Sequence, residues 1–199
     1  MCPRSQTLRQ GAANGRDSVS YRLRKPVTVV GMMGAGKTAV GKSLATRLGV
    51  PFLDSDAEIE AAANMSIAEV FERDGEAFFR DREAEVIARL LATGPMVLST
   101  GGGAFLAERN RAAISEAGVS IWLRADLDLL WQRVRHKATR PLLRTPDPRK
   151  TLGEIYAARE HIYALSDLAV DADARYSISD MTDHVVRVLK TRPDVLEAR

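Results

Sequence analysis

A segment with the pattern G-x-x-x-x-G-K-[ST] constrains the fold of this chain more than any other feature. The segment runs from Gly31 to Thr38 and fills every fixed position of the pattern. An apolar run at residues 27–30 predicts a buried strand before it, and residues 39–48 predict a helix after it. In that setting, backbone N–H groups and the positive end of the helix dipole form a seat for polyphosphate. The segment therefore predicts a nucleotide-binding loop, and a Gly-rich turn without a ligand is the alternative.

Two side chains of this phosphate loop have a predicted role of their own. Lys37 places a positive charge at the β- and γ-phosphates, and the hydroxyl of Thr38 is a ligand for Mg²⁺. The predicted nucleotide-binding residues of the loop are Gly34, Ala35, Gly36, Lys37, Thr38 and Ala39.

Short apolar runs alternate with helical patterns through the rest of the chain. Further strands are predicted at residues 50–53, 96–99, 119–123 and 168–170. Further helices are predicted at residues 66–75, 76–92, 107–117, 126–137, 152–165 and 180–190. This alternation is typical of an α/β fold with a parallel sheet, helices on both faces and ligands at the carboxyl ends of the strands.

The length of 199 residues fits one domain, which we predict to span residues 25–199. Residues 1–24 are basic and have no apolar period, so we expect a disordered extension, and a transit peptide is the alternative. The single cysteine, Cys2, favours a reducing compartment, and we expect a cytoplasmic protein.

Composition also limits the partners. No apolar run approaches the roughly 18 residues of a membrane span. The 29 basic residues are offset by 26 acidic ones, and much of the excess lies in the extension, so nucleic-acid binding is not predicted. The sequence has no obvious apolar patch or heptad, and we expect a monomer that acts on small molecules.

Asp54 and Asp56 stand two residues apart where the second predicted strand ends. Alternation along a strand would point both carboxylates to one face, beside the phosphate loop. One carboxylate could then hold Mg²⁺ through water, while the other accepts the proton of an attacking hydroxyl. The alternative is that one of them only caps the next helix.

Gly101, Gly102 and Gly103 follow the third predicted strand at its ligand-facing end. Glycines allow a backbone to approach a ligand without side-chain collision, and the N–H of Gly102 is the candidate contact to a substrate oxygen. A bare turn is the alternative.

Two arginines are candidates for binding an anionic substrate. Arg80 lies three residues before Glu83 on one helix, and Glu83 could orient its guanidinium. Arg159 lies between Tyr156 and Tyr163 on one face of a later helix. A surface ion pair and ordinary packing are the respective alternatives.

The segment from residue 138 to 150 contains three prolines and little apolar content, which predicts a mobile loop. Arg140 within it could swing over a bound nucleotide and offset the charge of the transferred phosphoryl group. We place this lid at about residues 135–150.

Taken together, these motifs resemble those of shikimate kinases, small P-loop kinases related to the nucleoside-monophosphate kinases. The resemblance runs from about residue 26 to 190 and rests on motifs in the family's order and spacing. They are the phosphate loop, Asp54-Ser55-Asp56, Gly75-Glu76-x-x-Phe79-Arg80 with Glu83, the three glycines, Arg140-Pro141-Leu142-Leu143, and Arg159 before Tyr163. Two departures are Ala77, where many members have proline, and residues 171–175, which match no adenine-loop pattern.

The resemblance implies ATP- and Mg²⁺-dependent phosphorylation of the 3-hydroxyl of shikimate, on the route to chorismate and the aromatic amino acids. It also implies a five-stranded parallel sheet of order 2-3-1-4-5. Asp56 would bind ring hydroxyls and act as base, and Asp54 would hold Mg²⁺ through water. The remaining implied contacts are Arg80 and Arg159 to the shikimate carboxylate, Gly101, Gly102 and Gly103 to the substrate, Arg140 to the phosphates, and Arg133 to the adenine.

Rival classes share the phosphate loop but predict different residues elsewhere. An adenylate kinase would need its own nucleotide-acceptor pocket, and a gluconate kinase is not expected to need this pair of arginines. A nucleotide-binding regulator without catalysis has no use for Asp56, Arg80 and Arg159 in one pocket. The two arginines therefore favour an anionic acceptor.

Overall fold

A computed structural model describes residues 21–136, residue 143 and residues 145–198. The strands in chain order are β1 (Tyr21–Leu23), β2 (Val27–Val30), β3 (Phe52–Asp54), β4 (Val97–Ser99), β5 (Val119–Arg124), β6 (Leu168–Asp171) and β7 (Leu196–Ala198). The helices are α1 (Lys37–Leu48), α2 (Ser55–Ala63), α3 (Ile67–Leu91), α4 (Glu108–Ala117), α5 (Leu127–Val134), α6 (Pro148–Tyr163) and α7 (Ile178–Leu189). A short 3-10 helix, Ala104–Leu106, precedes α4.

The central sheet has the strand order β3-β4-β2-β5-β6, and every neighbouring pair in it is parallel. Numbered among themselves in chain order, these five strands have the order 2-3-1-4-5, so the predicted topology is confirmed. The register places Val29 of the central strand opposite Ser99 on one side and Ile121 on the other. Ser99 in turn lies opposite Asp54, so three carboxyl ends meet at one edge.

The strand order also explains why helices cover both faces. The chain moves in one direction along the sheet from β2 to β3 and in the other direction from β3 onward, and right-handed crossovers then place the helices on opposite faces. Accordingly, α1 packs with α7, whereas α3 packs with α4 and α5 with α6. The predicted three-layer α/β fold is confirmed.

The sheet strands and the helix faces above them form one aliphatic core. Val27, Val29 and Val30 of the central strand are fully buried, as a strand between two helix layers requires. A smaller cluster beside this core is formed by Ile59, Val70 and Phe79 from α2 and α3. That second cluster stabilises the helices that carry Asp56 and Arg80.

The predicted disorder of residues 1–24 was wrong for its last part, because Tyr21–Leu23 forms β1. This strand pairs antiparallel with β7, so the two ends of the described chain are joined in a two-stranded sheet. Ion pairs from Arg24 to Glu197 (2.6 Å) and from Lys25 to Asp194 (3.0 Å) flank it. Residues 1–20 lie outside the described residues.

Two helix boundaries differ from the sequence prediction. The segment after Asp54 is helical as α2, which the apolar pattern did not indicate. The break predicted at Gly75 is confirmed, because its backbone is non-helical (φ 82°, ψ 172°) and divides α3 into two helical segments. The predicted loop at 138–150 ends earlier, because α6 begins at Pro148 with Asp147 as its cap. Within the described ranges, no helix is long and apolar enough to cross a membrane.

Candidate active site

A cavity of about 470 Å³ lies at the carboxyl ends of β2, β3 and β4. It is the crevice expected where the chain reverses direction along a parallel sheet. Several predicted site residues line it together: Gly34, Ala35, Gly36, Lys37, Thr38, Ala39, Asp54, Asp56, Gly101, Gly102 and Arg133. The nucleotide-binding and carboxylate candidates therefore share one site.

The phosphate loop is held in shape by glycine conformations and by Lys37. Gly34 and Gly36 have φ values of 85° and 98°, which side chains other than glycine rarely adopt. The Nζ of Lys37 donates to the carbonyls of Gly31 (2.9 Å) and Met32 (3.0 Å). The ammonium group is therefore already positioned at the mouth of the loop, above the amino end of α1.

Asp54 caps α2 and also contacts the phosphate loop. Its Oδ1 accepts from the N–H of Asp56 (3.1 Å), so it caps α2, while its Oδ2 accepts from the Thr38 hydroxyl (3.3 Å). A hydroxyl and a carboxylate side by side are hard oxygen donors, the kind that Mg²⁺ prefers, with further positions left to phosphate and water. Thr38 and Asp54 therefore fit a magnesium ion that also contacts a polyphosphate.

Asp56 lies beside Asp54, but not for the predicted reason. The strand ends at Asp54, and Asp56 is in the first turn of α2, so alternation along a strand does not place it. Burial, together with the charges of Asp54 and Glu83, raises the pKa of Asp56 from 3.8 to about 6, against the effect of Lys37. A carboxylate with a pKa near 6 is ionised at neutral pH and is more basic than an ordinary aspartate.

Arg80 lies against the third glycine, outside the wall of the cavity. Its Nη1 donates to Glu83 (2.9 Å) and its Nη2 to Glu76 (3.1 Å). A Cβ on Gly103 would come within 2.8 Å of both terminal nitrogens of Arg80. The side chain of Glu83 is only 2% exposed, so the interpretation of a surface pair was wrong. Arg80 is thus oriented by a buried carboxylate.

Arg159 is on α6, outside the wall of the cavity. It lies one turn before Tyr163, whose hydroxyl donates to the carbonyl of Gly102. The hydroxyl of the other tyrosine, Tyr156, donates instead to Glu160 (2.9 Å) at the surface. Of the two tyrosines predicted on the helix face of Arg159, Tyr163 contacts the glycine segment and Tyr156 does not.

Arg133 lines the cavity at the end farther from the carboxylates. Its Nη1 donates to the carbonyls of Gly34 (3.3 Å) and Ala35 (3.2 Å), and burial lowers its pKa. Its proposed contact with adenine stays a prediction. Arg140 lies outside the described residues, as do residues 137–142 and 144 of the predicted lid.

Comparison with known proteins identifies the family. A sequence model described as shikimate kinase matches residues 33–190. The chain belongs to the shikimate kinase family. A shikimate kinase from Ruegeria pomeroyi is 65% identical over 96% of this chain and 97% of its own length. One from Cereibacter sphaeroides is 60% identical over 97% of this chain and 96% of its own length.

Solved structures agree with this family. A shikimate kinase from Acinetobacter baumannii, in complex with shikimate, has a TM-score of 0.79 and 33% identity, covering 84% of this chain and 94% of that one. A gluconokinase from Sinorhizobium meliloti has a TM-score of 0.56 at 17% identity, covering 85% of this chain and 94% of that one. The similarity to the gluconokinase concerns the fold alone.

The glycine segment offers a test within the shikimate kinase site. A Cβ on Gly101 would come within 2.6 Å of Asp56 Oδ1, whereas a Cβ on Gly103 would meet Arg80 instead. We expect Gly101→Ala to lower kcat by about tenfold to 100-fold, since misplacing a reacting group by about 1 Å has effects of this size. We expect Gly103→Ala to raise the KM for shikimate with a smaller effect on kcat.

Steady-state kinetics of Gly101→Ala and Gly103→Ala measure kcat and the KM for shikimate separately. Gly153→Ala on α6 is a matched control, because its Cβ would meet only Leu127 at 3.3 Å, away from the cavity. Identical kinetic changes in the two site variants would contradict separate roles for Gly101 and Gly103.

Sequence reasoning missed several residues of the cavity wall. Tyr176, Ser177, Ile178 and Met181 line it from the segment between β6 and α7 and from α7 itself. Thr100 also lines it, and within the described part of the chain its buried hydroxyl has no hydrogen-bond partner. The sequence indicates these residues only by their position. Thr100 directly follows the third predicted strand, and the other four follow the last predicted strand.

Proposed function

We propose that the chain transfers the γ-phosphoryl group of ATP to the 3-hydroxyl of shikimate, giving shikimate 3-phosphate for chorismate and aromatic amino acid synthesis. One observation carries the proposal: the carboxylate of Asp56 shares a cavity with the phosphate loop and contacts the glycine segment that Arg80 adjoins. Membership of the shikimate kinase family supports the choice of acceptor.

Asp56 is the base of the proposed reaction. As the 3-oxygen forms its bond to the γ-phosphorus, the hydroxyl proton moves to an Oδ of Asp56, and the bond between the γ-phosphorus and the bridging oxygen breaks to release ADP. The raised pKa, about 6, makes Asp56 a better proton acceptor while leaving it ionised at pH 7. The Gly101 backbone against it limits the directions in which the carboxylate can turn.

Lys37 and the loop amides hold the donor. The Nζ of Lys37 donates to two loop carbonyls, which hold its positive charge at the phosphate loop. The residues proposed for ATP are Gly34, Ala35, Gly36, Lys37, Thr38, Ala39, Arg133 and Arg140. When bound at Thr38 and Asp54, Mg²⁺ supplies positive charge to the β- and γ-phosphate oxygens.

Arg80 and Arg159 hold the acceptor through its carboxylate. The two arginines come from α3 and α6 and approach the glycine segment from Gly103 and Gly102 respectively, Arg159 through Tyr163. Charge-assisted hydrogen bonds to a carboxylate are strong and directional, so the pair selects an anionic ring over a neutral sugar. Gly101, Gly102 and Gly103 complete the proposed shikimate site, and Glu83 orients Arg80.

We further propose a cytoplasmic monomer whose single kinase domain follows a basic N-terminal extension. The supporting observations are the near balance of charges and the single cysteine. The pairing of β1 with β7 supports a domain that begins at residue 21 rather than at residue 25.

Replacing Arg159 with alanine tests the acceptor assignment. We expect the KM for shikimate to rise by about tenfold to 100-fold, the loss expected for one charged hydrogen-bond partner, with the KM for ATP changed less than about twofold. Initial rates measured against each substrate in turn give both constants. Arg149→Ala is the control, since Arg149 pairs with Asp128 (2.7 Å) at the surface.

The product identifies the reaction directly. Phosphorus and proton NMR of the wild-type product should place the new phosphate on the 3-oxygen of shikimate. A phosphate on another hydroxyl, or a rise in the KM for ATP equal to that for shikimate in Arg159→Ala, would contradict the proposed arrangement.

A further inference from the structure

The phenol of Tyr163 is a buried polar group that the reaction does not use. Tyr163 ends α6 and is 1% exposed. A buried phenol needs hydrogen-bond partners, and the Tyr163 hydroxyl donates to the backbone carbonyl of Gly102. Burial raises the pKa of Tyr163 above its usual value, so the hydroxyl keeps its proton and stays a donor. It is a permanent link between α6 and the glycine segment.

Arg159 is the neighbour of Tyr163 on the helix. Residues four apart on a helix are neighbours on its surface, so Arg159 and Tyr163 share one face of α6. Burial raises the pKa of Tyr163, and the positive charge of Arg159 opposes that effect. The Tyr163 side chain therefore lies next to Arg159 on α6 and contacts Gly102 in a loop after β4.

The ring that carries this hydroxyl is fixed by the core. It stacks on Trp122 of β5 with ring centroids 6.2 Å apart and an interplanar angle of 26°. Trp122 in turn lies against the start of the phosphate loop, where a Cβ on Gly31 would be 3.2 Å from its Cδ1. The Sδ of Met32 is 4.0 Å from the phenol oxygen. The hydroxyl position is thus set by the sheet and the phosphate loop together.

We propose that Tyr163 is a positioning residue for the acceptor, which fixes Arg159 relative to the backbone of Gly102. The proposal rests on the proposed function, because it assigns Arg159 and Gly102 to shikimate. Without the hydroxyl, Arg159 loses a fixed neighbour and the Gly102 carbonyl loses its donor. The substrate then has to order both groups when it binds, which weakens binding of the acceptor but not of the nucleotide.

Tyr163→Phe tests this directly, because it keeps the ring on Trp122 and removes only the oxygen. We expect the KM for shikimate to rise about five- to tenfold, with the KM for ATP within about twofold of wild type. Tyr156→Phe is the matched control: it is on the same helix, but its hydroxyl binds Glu160 at the surface. We expect its kinetics to equal those of wild type.

Removing Arg159 as well distinguishes positioning from a general loss of stability. If Tyr163 acts through Arg159, Tyr163→Phe added to Arg159→Ala should change the KM for shikimate by less than about threefold, because coupled residues are not additive. The proposal would be overturned if the KM for shikimate in the double variant showed the full effects of both single variants combined. It would also be overturned by an equal rise in the KM values for shikimate and ATP in the single variant, which is the result of a purely structural role.

A measurement without substrate separates this inference from the proposed function. In ¹⁵N–¹H spectra of the free protein, we expect Tyr163→Phe to shift the Arg159 Nε–H and Gly103 N–H signals, and Tyr156→Phe to leave both unchanged. Unchanged signals in Tyr163→Phe would overturn the proposal. If wild-type protein fails to phosphorylate shikimate, the proposed function is wrong, and these spectra still decide whether Tyr163 positions Arg159.

Discussion

Asp56→Asn is expected to lose most turnover while keeping the binding of ATP. The amide cannot accept the hydroxyl proton, and loss of a positioned base lowers kcat by about 10²- to 10⁴-fold. In the proposed site ATP binds at the phosphate loop rather than at this side chain, so we expect the Kd of a fluorescent ATP analogue to stay within about threefold of wild type. Single-turnover and steady-state rates with shikimate measure the loss.

The same variant should be more stable than wild type. The folded-state pKa of Asp56, about 6, lies above the ordinary value of 3.8, so the folded protein holds this proton more tightly than the unfolded chain. Its contribution to the free energy of unfolding therefore falls as pH rises from about 4 to about 6 and stays unfavourable above that. Asparagine removes this penalty, and we expect a gain of about 1–2 kcal/mol at pH 8 in urea unfolding.

The pH dependence provides a second check on Asp56. In wild type, kcat/KM should rise with pH through about 6, as the carboxylate loses its proton, and then reach a plateau. Glu58→Gln is the control, since Glu58 is on the same helix but pairs with Arg89 (3.5 Å) at the surface. A near-normal kcat in Asp56→Asn would contradict the assignment of Asp56 as the base.

Lys37→Met is expected to have the second-largest effect, and its effect should fall on the donor. The variant loses the charge at the β- and γ-phosphates and the two bonds that Lys37 makes to the carbonyls of Gly31 and Met32. Loss of one such electrostatic contact lowers kcat by about 10²- to 10³-fold. We also expect weaker binding of ATP, measured by calorimetry, with little change in the affinity for shikimate.

Lys42→Met is the matched control for Lys37. Lys42 is on the same helix, but its ammonium lies over the ring of Phe52, 5.7 Å from the centroid, rather than in the phosphate loop. We expect its kcat within about twofold of wild type. If Lys37→Met raised the KM for shikimate and left the KM for ATP unchanged, the placement of donor and acceptor would be wrong.

The central sheet could be predicted from the sequence because its signals are local. Continuous apolar runs such as Val27–Val30 can be buried on both faces only in a parallel sheet between helix layers. The phosphate loop is likewise a contiguous segment, and its glycine positions and lysine identify it in the sequence. A helix was predicted to begin at residue 66, and the structure has a full capping box of Ser66 and Glu69 at the start of α3.

The features that the sequence could not predict depend on contacts between residues far apart in the chain. Tyr21–Leu23 has no strand signal stronger than that of the extension before it, and it is ordered only by pairing with Leu196–Ala198. The raised pKa of Asp56 follows from burial and from Glu83, which is 27 positions away on α3. The link from Tyr163 to Gly102 spans 61 positions, and no periodicity encodes it.

A competition assay tests the central claim most directly. Purified protein with ATP and Mg²⁺ is offered shikimate, gluconate and nucleoside monophosphates together, and the phosphorylated products are separated and quantified. The account predicts shikimate 3-phosphate as the dominant product, with that preference reduced in Arg159→Ala. Equal or faster phosphorylation of gluconate or of a nucleoside monophosphate by the wild-type protein would contradict it.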